Sequence, residues 1–185
     1  MSAFTSTLDS GIAVVTFDVP GAPVNTISQA VGEELAALLD RLAQDPVVRG
    51  VVLISGKPDS FIAGADINEF VALRTAADAT ALSRRGQELV QRVESLGKPV
   101  VAAIHGSCIG GGVELALACQ WRIATDHPKT QLQLSEVQLG ILPGWGGSQR
   151  LPRRIGVPAA LDAILSGRLY DPRRALRAGL VDRLT

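Results

Sequence analysis

The stretch Val100–Cys119 reads VVAAIHGSCIGGGVELALAC. Val100 to Ile104 is an unbroken run of β-branched and small apolar side chains, the pattern of a strand buried on both faces. His105 to Gly112 is too rich in glycine to prolong it and predicts a loop. Val113 to Cys119 returns to good helix formers and predicts a helix that opens directly behind three glycines. A buried strand, a glycine turn and a helix in so short a span place the chain in the α/β class.

Outward from this segment the same alternation recurs. Ile12 to Phe17 (IAVVTF) predicts a strand, and Pro20, Gly21 and Pro23 mark the loop behind it. Ser28 is a suitable N-cap for a helix over Gln29 to Leu42, with Val31, Leu35, Leu38, Leu39 and Leu42 on one face. Val51 to Ile54 is a second buried strand. Phe61 to Phe70 (FIAGADINEF) reads as a strand end, a turn of small residues and a short helical start. A long amphipathic helix follows from Ala77 to Leu96, ended by Gly97, Lys98 and Pro99. Trp121 to Ala124 is a strand, and Gln131 to Leu134 a strand or loop edge. Gly140 to Gly147 (GILPGWGG) is a rigid turn into a helix near Ser148, with further helices near Pro158–Leu165 and Asp171–Ala178. The order is a repeated β-β-α unit followed mostly by helices. No repeat, linker or low-complexity tract divides residues 1–185, so a single domain is expected.

Composition narrows the function. The chain is 46% hydrophobic and 19% charged, which suits a globular core. Its net charge is zero, so it lacks the basic footprint that nucleic-acid binding requires. Arg150, Arg153 and Arg154 form the densest basic stretch, which suits a solvated helix face or a contact with an anionic group or subunit partner. No apolar run reaches membrane-spanning length and no signal-peptide pattern opens the chain, so no membrane partner and a cytoplasmic location are expected. Cys108 and Cys119 fit a reducing compartment, as core residues or as a pair. His105 and His127 are the only histidines and have no zinc spacing, so no metal site is expected.

Three features carry chemistry. Ala63-Gly64-Ala65-Asp66-Ile67 puts small residues at a strand-to-helix turn, where a ligand can approach backbone N–H groups. Gly110-Gly111-Gly112-Val113-Glu114 sets free helix-start N–H groups beside a carboxylate. Ser135-Glu136 adds a second carboxylate ahead of Leu139-Gly140-Ile141-Leu142-Pro143-Gly144. Two backbone donors from separate loops can hold a carbonyl oxygen as it gains charge, and two carboxylates can move protons beside it. Each piece also has a plainer reading. Three glycines before a helix can serve tight packing, Glu114 can be a helix-dipole partner, Glu136 a surface residue, and Asp66 an N-cap. The loop matches neither a dinucleotide fingerprint nor a P-loop.

At these residues the chain resembles the crotonase (enoyl-CoA hydratase/isomerase) superfamily. FIAGADI, HGSCIGGGVELALAC, SEVQLGILPGWGGSQRLPRRIG and AGLVDRL stand in the family's order and approximate spacing. The resemblance implies a spiral of β-β-α turns. It implies Ala65 and Gly111 N–H groups as an oxyanion hole, Glu114 as activator of water and Glu136 as proton donor to C2. It also implies an acyl-CoA site lined by Ala63, Asp66, Ile67, Asn68 and Gly110, with no cofactor beyond the acyl-CoA substrate. Asn68 stands where many hydratases have lysine, and Trp145 where smaller residues are common. Family members usually continue past AGLVDRL with a helical segment, so the C-terminal segment is expected to be truncated here, in a cut chain, the front of a larger multifunctional fatty-acid oxidation protein or a naturally short member. A homotrimer or dimer of trimers is expected of the full-length parent. The resemblance admits hydration of 2-enoyl-CoA, isomerisation of 3-enoyl-CoA, or a non-catalytic binding module.

Overall fold

After an opening hairpin, successive coils of the chain each send one strand to each of two sheets. The computed structural model describes residues 2–185. Strands β1 (Phe4–Asp9) and β2 (Ile12–Phe17) form an antiparallel hairpin, and helix α1 (Gln29–Gln44) follows. The next coil contains β3 (Gly50–Ser55), β4 (Ser60–Ile62), α2 (Ile67–Val71) and α3 (Ala76–Glu94). A third contains β5 (Val100–Ile104), β6 (Ser107–Ile109) and α4 (Gly111–Ala118). A fourth contains β7 (Trp121–Ala124), β8 (Gln131–Gln133), a 3-10 turn (Glu136–Leu139) and α5 (Gly147–Ile155). Helix α6 (Val157–Ser166), β9 (Leu169–Tyr170), α7 (Pro172–Ala178) and β10 (Arg183–Leu184) complete the chain.

The larger sheet runs β1-β2-β3-β5-β7-β10 and the smaller β4-β6-β8-β9. Parallel pairing of β3 with β5 and β5 with β7 is echoed by β4 with β6 and β6 with β8. The coils therefore stack in register, which is the spiral expected from the repeated β-β-α order. Every residue of α4 is buried, which explains why that helix is apolar all round apart from Glu114. The core closes around Phe61, Ala102, Ile104, Leu115 and Ala124.

Several elements differ from the sequence reading. Strand β1 (FTSTLD) buries only Phe4, so it lacks an apolar signature. Strand β6 lies inside the expected glycine loop, too short to show a period, and its neighbours β4 and β8 hold it. Helix α4 starts at Gly111 rather than Val113, because glycine is tolerated where a helix's first N–H groups have no internal partner. Strands β9 and β10 are two residues each and follow only from pairing with β8 and β7. Cys108 and Cys119 are free and buried as core residues. The basic stretch is a solvated helix face at Arg153 and Arg154, both exposed, that also makes ion pairs within the molecule. Arg150 bridges Glu94, and Arg154 pairs with Asp182, which also binds the buried Arg122 at 2.6 Å. No helix among the described residues is long and apolar enough to cross a membrane.

Candidate active site

Three consecutive coils each deliver one part of a cavity of about 430 Å³. The first part is the turn after β4. Here Asn25–Ile27 runs beside Ala63–Asp66: Ala63 N donates to Asn25 O, Ile27 N to Gly64 O, and Asp66 N to Ile27 O. In this parallel pairing Ile27 is bridged to Ala65. The bridging bonds use the groups on either side of Ala65, so its own N–H turns the other way. Ala65 lines the cavity, and among the described residues its N–H has no acceptor.

Asn25 holds this turn in place, and the sequence reading did not single it out. Its side chain is fully buried and donates to Phe17 O (2.8 Å), Ser55 Oγ (2.9 Å) and Phe61 O (3.2 Å), while accepting from Val19 N (2.9 Å). A buried asparagine with every polar atom used is a fastener between strands. Asn25→Ala is expected to lower stability by about 3 kcal/mol, since the partners it leaves unpaired are themselves buried. Chemical denaturation measures this, and a loss of only a few tenths would contradict the assignment.

The second part is the start of α4. Gly110 has φ 52° and ψ −121°, which only glycine adopts without strain. Its N–H extends the β6–β8 ladder to Gln133 O at 2.8 Å, and the chain then swings into the helix. The N–H of Gly111, like that of Ala65, has no acceptor among the described residues. A Cβ on Gly64 would lie only 3.5 Å from Gly111 N, so the two donor loops are in contact.

One helical turn on, Glu114 is 2% exposed. Its Oε1 accepts from Trp145 N (2.8 Å) and Gly147 N (2.7 Å), which fixes the carboxylate on the GILPGWGG turn. Burial pushes its carboxyl up to about 7; nearby Glu136 adds to the rise, while the Gly147 and Trp145 amides and the Arg150 charge oppose it. The third part is Glu136, at the head of the 3-10 turn after β8. It too is buried, and burial holds its carboxyl above the usual range. Its Oε2 has no hydrogen-bond partner among the described residues. A Cβ on Gly110 would come within 3.3 Å of Glu136 Oε1, so the second carboxylate sits against the glycine that turns the donor loop.

Glu114, Glu136, Ala65, Gly111, Ala63, Ile67 and Gly110 thus share one cavity wall. Asp66 and Asn68 do not line it. Asp66 caps α2 by accepting from Asn68 N (3.0 Å) and Asn68 Nδ2 (2.9 Å). Phe70, Leu73, Leu82 and Leu139 supply an apolar lining that the sequence did not assign, because they converge from separate elements. Among the described residues no cluster of His, Cys, Asp and Glu could hold a metal.

A spiral of β-β-α coils, in which two loop residues with unpaired N–H groups among the described residues line one cavity with two buried carboxyls, defines a crotonase-fold protein. The chain belongs to the enoyl-CoA hydratase/isomerase family, whose model matches residues 7–185. It is 53% identical over 174 residues to the fatty acid oxidation complex subunit alpha of Shewanella putrefaciens, covering 94% of this chain and 25% of that protein. The subunit alpha of Idiomarina loihiensis is 53% identical over 180 residues, covering 97% and 25%. The chain spans about a quarter of the length of these relatives. Among solved structures, enoyl-CoA hydratase from Bacillus anthracis superposes with a TM-score of 0.92 at 33% identity, covering all of this chain and 70% of that one. DspI of Pseudomonas aeruginosa does so with 0.92 at 34%, covering all of this chain and 74% of that one.

Proposed function

We propose that this chain hydrates 2-enoyl-CoA thioesters to 3-hydroxyacyl-CoA in fatty-acid β-oxidation, with no metal or cofactor. The observation that carries the reading is the meeting of two buried glutamates with two unpaired N–H groups in one cavity. In this reading the N–H groups of Ala65 and Gly111 hold the thioester oxygen. Glu114 takes a proton from water as its oxygen bonds to C3, and the electron pair of the double bond moves onto the thioester as an enolate. Glu136 then gives its proton to C2, which returns that pair to carbon and restores the carbonyl.

The protonation states needed are unequal, and the hydrogen bonding differs in the same sense, although burial raises both carboxyls and carries Glu114 up to about 7. Two N–H donors on Glu114 Oε1 favour its ionised form, as a base requires. Glu136 Oε2 has no donor, so burial favours its protonated form, as an acid requires. Ala63, Ile67 and Gly110 contact the acyl-CoA directly, and Asp66 and Asn68 act by shaping the turn that carries Ala65. Homotrimeric assembly of the full-length parent belongs to the same reading, and sedimentation of that parent measures it.

The unpartnered Glu136 oxygen also supports a second reading, 3-enoyl-CoA isomerisation, in which one carboxylate moves a proton between C2 and C4. The test is loss of conjugated-thioester absorbance when the chain meets crotonyl-CoA. Hydration is expected. No hydration together with conversion of a 3-enoyl-CoA to its conjugated isomer would give the function to isomerisation. Neither reaction would leave a non-catalytic module.

A further inference from the structure

Trp145 is the residue of the GILPGWGG turn whose side chain no part of the mechanism above uses. It is buried, and its indole is wedged between two helices. A Cβ on Gly86 of α3 would lie 2.0 Å from Trp145 Nε1, and one on Gly111 of α4 would lie 2.7 Å from the far edge of the ring. Both glycines are therefore required by the ring, and the ring covers the residue whose N–H faces the thioester oxygen.

Behind the ring lies a second cavity of about 270 Å³, between α1 and α3. Its inner lining is Ile27, Gly32, Ala36 and Leu89, and Arg85 and Glu88 stand among its polar residues. The two cavities have only Leu82 and Trp145 in common. The Trp145 backbone N–H donates to Glu114, the group assigned to C3, and Trp145 lines the same cavity as that carboxylate.

We infer that Trp145, with Leu82, is the wall that ends the acyl cavity and sets the length of acyl chain accepted, and that the cavity between α1 and α3 is the space a longer chain enters when this wall is reduced. The inference rests on the hydratase reading for its direction. The partition has little strength apart from these two side chains, because glycines flank the ring where a larger residue would double the wall.

The chain and its Trp145→Ala, Trp145→Phe and Leu82→Ala variants are compared for hydration of crotonyl-CoA and decenoyl-CoA. Binding of butyryl-CoA and decanoyl-CoA is measured by calorimetry alongside. The ratio of kcat/KM for decenoyl-CoA over crotonyl-CoA is expected to rise about tenfold in Trp145→Ala, the discrimination that one or two additional buried methylenes supply. Trp145→Phe and Leu82→Ala are expected to raise it less. An unchanged or lower ratio in all three variants overturns the inference, and if Trp145→Ala fails to fold the other two decide. The decanoyl-to-butyryl binding ratio is expected to move the same way without turnover. A chain that binds both thioesters but hydrates neither enoyl substrate would defeat the hydratase reading, while the binding ratios of the variants would still decide the wall.

Discussion

Glu136→Gln is expected to lower crotonyl-CoA hydration by on the order of 100- to 10,000-fold, the range removed with a positioned acid or base. The fold should survive, because glutamine has the same shape and Glu136 Oε2 makes no hydrogen bond that the change would break. Only the transferable proton is lost. The effect should fall on kcat with little change in KM, since in the proposed mechanism Ala65 and Gly111, and not this side chain, hold the thioester oxygen. Turnover in deuterated water adds a second readout. The wild-type chain is expected to place deuterium at C2 of the product. Hydration within tenfold of wild type would remove Glu136 from the acid role.

Glu114→Gln should lose hydration over a similar range and, unlike most changes in a core, should gain stability. Glu114 titrates at about 7 in the folded protein against an ordinary value of 4.5. Between those values the folded chain holds a proton that the unfolded chain releases, so stability falls as pH rises through this window. The deficit is fully present above about pH 7 and absent below about 4.5. Glutamine cannot ionise, yet its carbonyl can still accept from Trp145 N and Gly147 N. The variant is therefore expected to be more stable than wild type by up to about 3 kcal/mol above neutral pH, with no difference in acid. Denaturation at both ends of the window measures this. The same titration predicts that wild-type kcat/KM declines below about pH 7 as the base becomes protonated. Equal stability at high pH combined with full activity would show that Glu114 is neither strained by burial nor the base.

Much of this arrangement was legible in the chain itself, and the limits of the reading have physical reasons. Strands β2, β3 and β5 are apolar runs long enough to be recognised alone. Helices α1 and α3 declare themselves by their apolar faces and by caps, with Ser28 accepting from Val31 N as its position suggested. Gly111 and Glu114 follow from three glycines preceding a helix. What could not be read is any feature made by distant partners. The bonds from Trp145 and Gly147 to Glu114 join elements far apart in sequence. Asn25, in a segment of prolines and glycines, looks like an ordinary turn residue until β2, β3 and β4 close around it. Strand β6 exists because two neighbours supply its hydrogen bonds.

The stacking of coils has a consequence for how such a protein diversifies. Ala65, the paired Gly111 and Glu114, and Glu136 lie on three successive coils, and ladder hydrogen bonds join each of these coils to the next. In the proposed mechanism each coil contributes a different chemical instrument, yet Glu114 is anchored by the backbone of the coil that follows it, so an exchange on one coil is felt by its neighbour. The scaffold behaves as a rack of interlocked tools, in which a new reaction of an acyl thioester calls for editing two adjoining coils together.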